Sequence, residues 1–462
     1  MYKCENCTYK SYMNMVCHQT MVSNECKNLC TYRCTCRKFV EMLKSDNNTI
    51  FSNFNCLLIQ QVLDSLYEPS KIYSNHYSYF IVRDHLDPIS IGSSYNGGDI
   101  SNVLPLIRNN IKEVYYNTRS YAIITKEEKV VAWGYNMGGY ISNPEILQNI
   151  IKIVPSERAF CAIDKYGNIY IWGYLWNTLH PHKVTAIYNK NIKEVYANNN
   201  TFIAIDQNGF SNIYGRYQDI TISQKIKKVY TTSNAFAVLV SNNGVITFGD
   251  QQQGGDSSMV SHLLTDKVVK IYSNNLAFAA VKESGEVITW GINNCGGDSS
   301  SVSNQLRQTG IIKKIYSTYT AFAALMDNNT VITWGHQDYG GDSTNIWLFN
   351  IKYICSTNGA FAALTYNGTV ETWGSNNYGG DSSHVQDMLN SVVKLYSTYN
   401  AFTALKEDGS IVTWGHNLCG GNHENVANKI NYNIKEIYSN NNSFLAIKDD
   451  NSMIMWGVTR DD

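Results

Sequence analysis

The chain has 462 residues, with 37 basic and 38 acidic side chains and a net charge of −1. A charge this balanced argues against a protein that binds nucleic acid or anionic lipid through a basic field. Hydrophobic residues make up 44% of the chain, enough for a sizeable core. No apolar run approaches the eighteen or so residues of a membrane span, and the first residues lack the apolar segment of a secretory signal. We therefore expect no membrane span and no entry into the secretory route.

Residues 1–56 are a cysteine-rich segment, which we take as a first domain. It holds eight of the twelve cysteines: Cys4, Cys7, Cys17, Cys26, Cys30, Cys34, Cys36 and Cys56. A segment this short cannot bury an adequate core, so such density indicates stapling by disulfides or by metal. Cys4 and Cys7 have the spacing of half a zinc site, and His18 is a further candidate ligand. Disulfides, zinc and unpaired thiols all stay open, and no other cofactor is predicted.

Residues 57–462 form a second domain that repeats one unit of about 40 residues. In each of ten in-phase units an aliphatic residue precedes a glycine by 20 residues. The aliphatic positions are Ile72, Val114, Ile153, Val195, Val229, Ile271, Ile315, Ile354, Leu395 and Ile437; the glycines are Gly92, Gly134, Gly173, Gly215, Gly249, Gly291, Gly335, Gly374, Gly415 and Gly457. Units start 34 to 44 residues apart, so the length variation lies after the glycine. A constant core with variable connections is typical of stacked repeat folds.

Each unit is predicted to be all β. In the ninth unit, "VVKLYS" (392–397) is one strand, and "AFTALKEDGSIVTWG" (401–415) is two strands joined by a tight Asp-Gly turn. Three strands, or four with the loop, make a sheet too small to be stable alone, so neighbouring units must cover both its faces. The alanine-rich strand of Ala277, Ala279 and Ala280 suits the crowded centre of a radial assembly.

Tryptophan marks the end of most units. Seven of the nine tryptophans directly precede a repeat glycine: Trp133, Trp172, Trp290, Trp334, Trp373, Trp414 and Trp456. Large aromatic side chains contribute most when they are buried against neighbouring elements. We predict that these residues pack between adjacent sheets, in preference to forming a cage around a ligand.

The repeat resembles that of the regulator-of-chromosome-condensation superfamily, in its short-repeat branch. The resemblance lies in "KLYSTYNAFTALK" (394–406) and "DGSIVTWGHNLCGG" (408–421), and it covers about residues 60–462. It departs at Ile91 and Tyr214, which stand where the pattern has tryptophan. The resemblance implies a β-propeller, usually of seven blades. Because ten copies stay in phase, we expect a closed ring of ten sheets, with the seven-bladed norm as the alternative.

Candidate sites lie in the loops after the repeat glycine. Asp256, Asp298, Asp342 and Asp381 follow a Gly-Gly pair in equivalent places, and we interpret them as turn-forming residues in preference to a cation-binding array. Residues just before the Gly-Gly pair are candidates for contacts with other molecules: Cys295, Tyr339, Tyr378 and Cys419. The chain contains no common nucleotide-binding, zinc-protease or hydrolase motif, and no catalytic residue is predicted.

The expected function follows from these features together. The cysteine-rich segment resembles the addressing segments of surface-fibril proteins of mimivirus-like giant viruses. We therefore expect a non-enzymatic structural protein of the virion surface, made in the host cytoplasm, whose partners are itself and other virion proteins. The alternative is a propeller module that binds a host or viral protein. Guanine-nucleotide exchange or chromatin binding, implied by the founding family member, is the weakest candidate, because the repeat shows neither an inserted segment nor a basic tail.

Overall fold

The computed structural model describes residues 69–83, 86–175, 180–188, 191–430 and 432–458. They belong to one compact unit, Pro69–Asp462. The cysteine-rich segment 1–56, with its eight predicted zinc or disulfide cysteines, lies outside the described residues. So does the stretch 57–68, with which the predicted second domain begins.

The described chain forms ten antiparallel sheets, as the ten in-phase repeats predict, and not seven. In chain order the strands are β1 (Pro69–Ser74), β2 (Ser78–Arg83) and β3 (Ile89–Gly92) in sheet 1; β4 (Ile111–Tyr116), β5 (Ser120–Thr125) and β6 (Val130–Gly134) in sheet 2; β7 (Ile150–Pro155), β8 (Ala159–Asp164), β9 (Ile169–Gly173) and β10 (Thr185–Ile187) in sheet 3; β11 (Ile192–Ala197), β12 (Thr201–Asp206) and β13 (Ser211–Gly215) in sheet 4; β14 (Ile226–Thr231), β15 (Ala235–Val240) and β16 (Val245–Gly249) in sheet 5; β17 (Val268–Ser273), β18 (Ala277–Lys282) and β19 (Val287–Gly291) in sheet 6; β20 (Ile312–Ser317), β21 (Ala321–Met326) and β22 (Val331–Gly335) in sheet 7; β23 (Ile351–Ser356), β24 (Ala360–Thr365) and β25 (Val370–Gly374) in sheet 8; β26 (Val392–Ser397), β27 (Ala401–Lys406) and β28 (Ile411–Gly415) in sheet 9; and β29 (Ile434–Ser439), β30 (Ser443–Lys448) and β31 (Met453–Gly457) in sheet 10. Each sheet is a meander in chain order, and the fourth strand that the sequence allowed forms in sheet 3.

The helices of the described chain are short and lie in the connections between sheets. Those of α type are α1 (Leu104–Ile107), α2 (Asn136–Gly139), α3 (Ser303–Gln308) and α4 (Ala427–Ile430). Those of 3₁₀ type are Ser94–Asn96, Pro144–Ile146, Gln251–Gln253, Ser258–Leu263, Asn293–Cys295, Ser300–Val302, Gln337–Tyr339, Asn376–Tyr378, Ser383–Met388, Asn417–Cys419 and Glu424–Val426. In this part of the chain no helix has the length and apolar character needed to cross a membrane.

The hydrophobic core is divided among the contacts between neighbouring sheets. One buried cluster, for example, joins Ala277 and Ala279 of sheet 6 to Ile315, Phe322 and Trp334 of sheet 7. The alanines of the alanine-rich strand are fully buried, but this strand is the middle strand of its sheet and not the one nearest the centre. The first strands of neighbouring sheets contact one another, so they are innermost. Small side chains are needed in the middle strand because neighbouring sheets cover both of its faces.

Sheets 10 and 1 pack together in the same way as consecutive sheets do. The Tyr121 hydroxyl of sheet 2 donates a 2.8 Å hydrogen bond to the Ser78 carbonyl of sheet 1. Tyr79, the equivalent residue of sheet 1, donates a 2.7 Å bond to the Ser443 carbonyl of sheet 10, and it packs against Leu445. The contacts between neighbouring sheets therefore form a closed cycle of ten.

The repeat tryptophans fill the space between sheets, as predicted. Trp414 is fully buried and stacks on Phe402 with 5.3 Å between ring centroids. Its indole N–H donates a 3.0 Å hydrogen bond to the Gly379 carbonyl in the Gly-Gly turn of the preceding sheet. The other six tryptophans make the same bond, to Gly97, Gly138, Gly254, Gly296, Gly340 and Gly420. The indoles thus join each Gly-Gly turn to the next sheet.

Candidate functional site

The loops that carry the candidate contact residues lie at one end of the ring. Because the three strands of a sheet alternate in direction, the turn after the first strand and the loop after the third strand lie at the same end of the ring, which we call the loop end. The turn between the second and third strands lies at the opposite end, which we call the hairpin end. Side chains join the two elements of the loop end: the Thr318 hydroxyl donates a 3.0 Å bond to the Tyr339 carbonyl, and Thr398 donates a 2.9 Å bond to the Cys419 carbonyl.

Of the four predicted contact residues, the structure brings together the two tyrosines. Tyr339 and Tyr378, in sheets 7 and 8, are half-buried, and their ring centroids are 5.8 Å apart in an edge-on contact. The thiols of Cys295 and Cys419 are buried, with residue exposures of 7% and 8%, and burial raises the pKa of both. The two cysteines therefore contribute to the core of the turns, and their exposed neighbours, such as Leu418, form the surface.

A shallow depression lies between two neighbouring Gly-Gly turns of the loop end. It has a volume of about 460 Å³ and is lined by Asn376, Asn377, Gly415, His416, Asn417 and Leu418. Leu418 is 62% exposed, and Tyr95, at the equivalent place in sheet 1, is 74% exposed. Apolar side chains beside amides and an imidazole form a surface of the mixed character found where proteins meet.

The aspartates after the Gly-Gly pairs form turns, as the sequence indicated. Each accepts a hydrogen bond from the backbone N–H two residues on, at 2.8 Å for Asp256 and Asp298 and 2.9 Å for Asp342 and Asp381. This bond lowers the pKa of Asp256, Asp342 and Asp381, so these carboxylates are ionised at neutral pH. Among the described residues, no three acidic, histidine or cysteine side chains meet as a metal site.

The tips of the first hairpins meet near the middle of the loop end. Backbone N–H groups of eight tips donate to a tip carbonyl of the next sheet, for example from Tyr319 to Asn358 at 2.8 Å and from Asn358 to Tyr399 at 2.9 Å. The tip side chains of non-adjacent sheets also touch: the rings of His76 in sheet 1 and Tyr399 in sheet 9 are 5.4 Å apart, edge to face. Sequence inspection missed this cluster, because the tip position carries six different residue types over the ten repeats.

Burial, together with the positive charge of Arg119, lowers the pKa of His76 to about 4. In the unfolded chain this histidine has an ordinary pKa near 6.5. Between these two values the unfolded state binds more protons than the folded state, so stability decreases as the pH falls from 6.5 towards 4. We expect the urea-unfolding midpoint of His76→Asn to change less with pH in this range than the midpoint of the natural chain. The same substitution at the exposed His262 is the control, and equal slopes for the two variants would contradict the assignment.

Comparisons with known proteins bear on the fold alone. No protein-family model matches the chain, and no curated protein sequence matches it. Among solved structures, the chain is similar to RCC1-like β-propellers. Prp20p from Saccharomyces cerevisiae is 13% identical, with 69% of this chain and 84% of that one covered and a TM-score of 0.35. The ectodomain of the receptor kinase CR4 from Physcomitrella patens is 14% identical, with 57% and 72% covered and a TM-score of 0.34. The ectodomain of the receptor kinase ACR4 from Arabidopsis thaliana is 10% identical, with 61% and 99% covered and a TM-score of 0.32.

Proposed function

We propose that this chain is a non-enzymatic structural protein of a giant-virus particle, in which the ring assembles with copies of itself in the surface fibril layer. The assignment to a virus rests on the resemblance of the repeat and of the cysteine-rich segment 1–56, which would direct the chain to the particle. The non-enzymatic role rests on repetition: a ring presents like groups at equivalent places, whereas catalysis needs unlike groups converging at one place.

The observation that carries self-assembly is that each end of the ring repeats one kind of charged side chain at the same place in the repeat. The loop end carries a ring of exposed carboxylates: Asp99, Asp256, Asp298, Asp342 and Asp381. The hairpin end carries a ring of exposed lysines at the second residue of the first strand: Lys112, Lys193, Lys227, Lys313, Lys352 and Lys435. Three of these ammonium groups are held at that end by a hairpin turn: Lys112 forms a salt bridge with Glu128, and Lys227 and Lys313 donate a hydrogen bond to an asparagine amide oxygen.

Head-to-tail stacking would place the loop end of one copy, with its aspartates, against the hairpin end of the next, with its lysines. Such a contact uses two different surfaces of the chain, so it does not close on itself and continues as a filament. Attraction between the aspartates and the lysines favours this contact, although the hairpin turns also carry exposed carboxylates, for example Glu283, Asp327 and Asp408. The proposed placement in the particle can be tested by mass spectrometry of purified particles. An abundant chain would support a structural role, and a trace amount would count against it.

Assembly can be tested without disturbing the fold. Asn422 stands where five other sheets carry aspartate, and its amide oxygen accepts the same turn bond, from Glu424 N at 2.7 Å. We therefore expect the triple substitution of asparagine for Asp298, Asp342 and Asp381 to keep the turns and the stability while removing three charges from the loop end. Light scattering at micromolar concentration and low salt should show assemblies for the natural chain and smaller species for the variant.

Two results would count against self-assembly. One is a natural chain that stays monomeric in both reducing and oxidising buffer; the other is a triple variant that assembles as well as the natural chain. The first would favour the second candidate function, a protein-binding propeller. That candidate is supported by the depression beside Leu418 and by the exposed Tyr95 at the loop end.

A further inference from the structure

The innermost strands carry an ordered set of charges around the centre of the ring. The position concerned is the residue just before the repeat aliphatic, on the first strand of each sheet. In the order of sheets 9, 10, 1, 2, 3 and 4 it alternates in sign: Lys394, Glu436, Lys71, Glu113, Lys152 and Glu194. In sheets 5, 6 and 7 the alternation stops, and three lysines follow one another before the neutral Tyr353 of sheet 8. We call these three residues, Lys228, Lys270 and Lys314, the lysine arc.

The strands of the lysine arc lie side by side. The Ser273 hydroxyl of sheet 6 donates a 2.7 Å hydrogen bond to the Thr231 carbonyl of sheet 5. The Ser317 hydroxyl of sheet 7 donates a 3.1 Å bond to the Ser273 carbonyl. Since these are innermost strands, three positive charges on consecutive strands border the same central space.

Each ammonium group of the arc is held in a defined place. Its nitrogen lies over the ring of the tyrosine two residues further along the strand, at 5.3, 4.6 and 4.3 Å from the centroids of Tyr230, Tyr272 and Tyr316. A cation is attracted to the face of an aromatic ring, so these contacts orient the three lysines alike along their strands. All three lysines remain exposed to solvent.

The arc differs from the rest of the ring at its middle lysine, because Lys270 has a lysine and no acidic residue at the same position of both neighbouring sheets. In the alternating part, Lys394 lies 4.0 Å from Glu436 of the next sheet. Within the described residues, no carboxylate comes within salt-bridge distance of Lys228, Lys270 or Lys314. Neighbouring like charges repel, and an anion between them would remove that repulsion.

We propose that the lysine arc binds a multivalent phosphate anion at the centre of the ring. Lysine ammonium groups bind phosphate oxygens as point charges, and three of them on consecutive strands offer several positive charges to one anion. The tyrosine rings beneath position the ammonium groups. This site is independent of the proposed self-assembly.

The experiment is calorimetric titration of the full chain with sodium tripolyphosphate at low ionic strength. Lys270, in the middle of the arc, is changed to glutamine, and Lys152 is the matched control. Lys152 has the same place in the repeat and is exposed, but it lies between Glu113 and Glu194 of the neighbouring sheets. We expect Lys270→Gln to weaken binding about fivefold, the size of one ion pair near a surface, and Lys152→Gln to leave it within about twofold.

Each of three results would overturn the proposal: no binding of tripolyphosphate, equal affinity of the two variants, or binding of a polyglutamate peptide in place of tripolyphosphate. The last would identify the arc as a site for an acidic protein segment. Urea unfolding confirms that each variant is folded, and Lys314→Gln replaces Lys270→Gln if the latter is not.

Discussion

Trp414→Ala is expected to lower the free energy of unfolding by about 3–5 kcal/mol, the range for removing a large buried aromatic side chain. Trp414 is fully buried and stacks on Phe402, and its N–H bonds to the Gly379 carbonyl. The alanine variant leaves a cavity between sheets 8 and 9 and an unpaired carbonyl in the Gly-Gly turn. Urea unfolding followed by tryptophan fluorescence measures the loss.

The chain offers a matched control for this substitution. Trp347 lies in the connection between sheets 7 and 8 and is 78% exposed, so Trp347→Ala should change the free energy of unfolding by no more than about 0.5 kcal/mol. Trp414→Phe separates the two contributions, because it keeps the stacked ring and loses the hydrogen bond. A Trp414→Ala variant as stable as Trp347→Ala would show that the indole does not join the sheets.

The degenerate repeats support this account of the indole. Where tryptophan is absent, the preceding loop also lacks a Gly-Gly pair: Tyr214 of sheet 4 follows the loop 174–184, and Phe248 of sheet 5 follows the loop 216–225. Among the described residues the Tyr214 hydroxyl has no hydrogen-bond partner, whereas Phe248 needs none and stacks on Phe236 at 5.0 Å. Indole and turn are therefore one unit of structure, kept or lost together.

Features that depend on local spacing could be predicted from the sequence. The constant 20-residue spacing gives the number of sheets, because each repeat contains all three strands of one sheet. The turn role of residues such as Asp298 also follows from local chemistry, since the bond from the backbone N–H lies two residues away. The position of the alanine-rich strand could not be predicted, because crowding at the centre of a ring and burial between two neighbours demand the same small side chains.

Features that depend on how the sheets are arranged around the ring were missed. Lys228, Lys270 and Lys314 are visible in the sequence as part of the repeat, but their place around the centre appears only when the first strand of each sheet is known to be innermost. The contact of His76 with Tyr399 joins residues more than 300 positions apart, and no repeat position marks it. The exposure of Cys295 and Cys419 depends on the packing of the turn against the next sheet.

Gly420→Ala is expected to lower the free energy of unfolding by about 2–5 kcal/mol, from backbone strain together with overpacking. Gly420 has a φ of +93°, a conformation that costs any other residue energy, and a Cβ placed there would lie 2.6 Å from the ring of Phe444. Phe444 is fully buried and cannot move away without disturbing the contact between sheets 9 and 10.

Gly285 is the matched control for the backbone contribution. It has a similar φ of +82°, in the hairpin turn of sheet 6, and a Cβ there would meet no atom of the described chain within 4 Å. Gly285→Ala should therefore show the strain alone, about 1–2 kcal/mol. Urea unfolding of both variants gives the difference, which is the contribution of the close approach between a Gly-Gly turn and the next sheet. Equal losses would mean that the turn can move off the phenyl ring, and that the glycine is needed for its backbone conformation only.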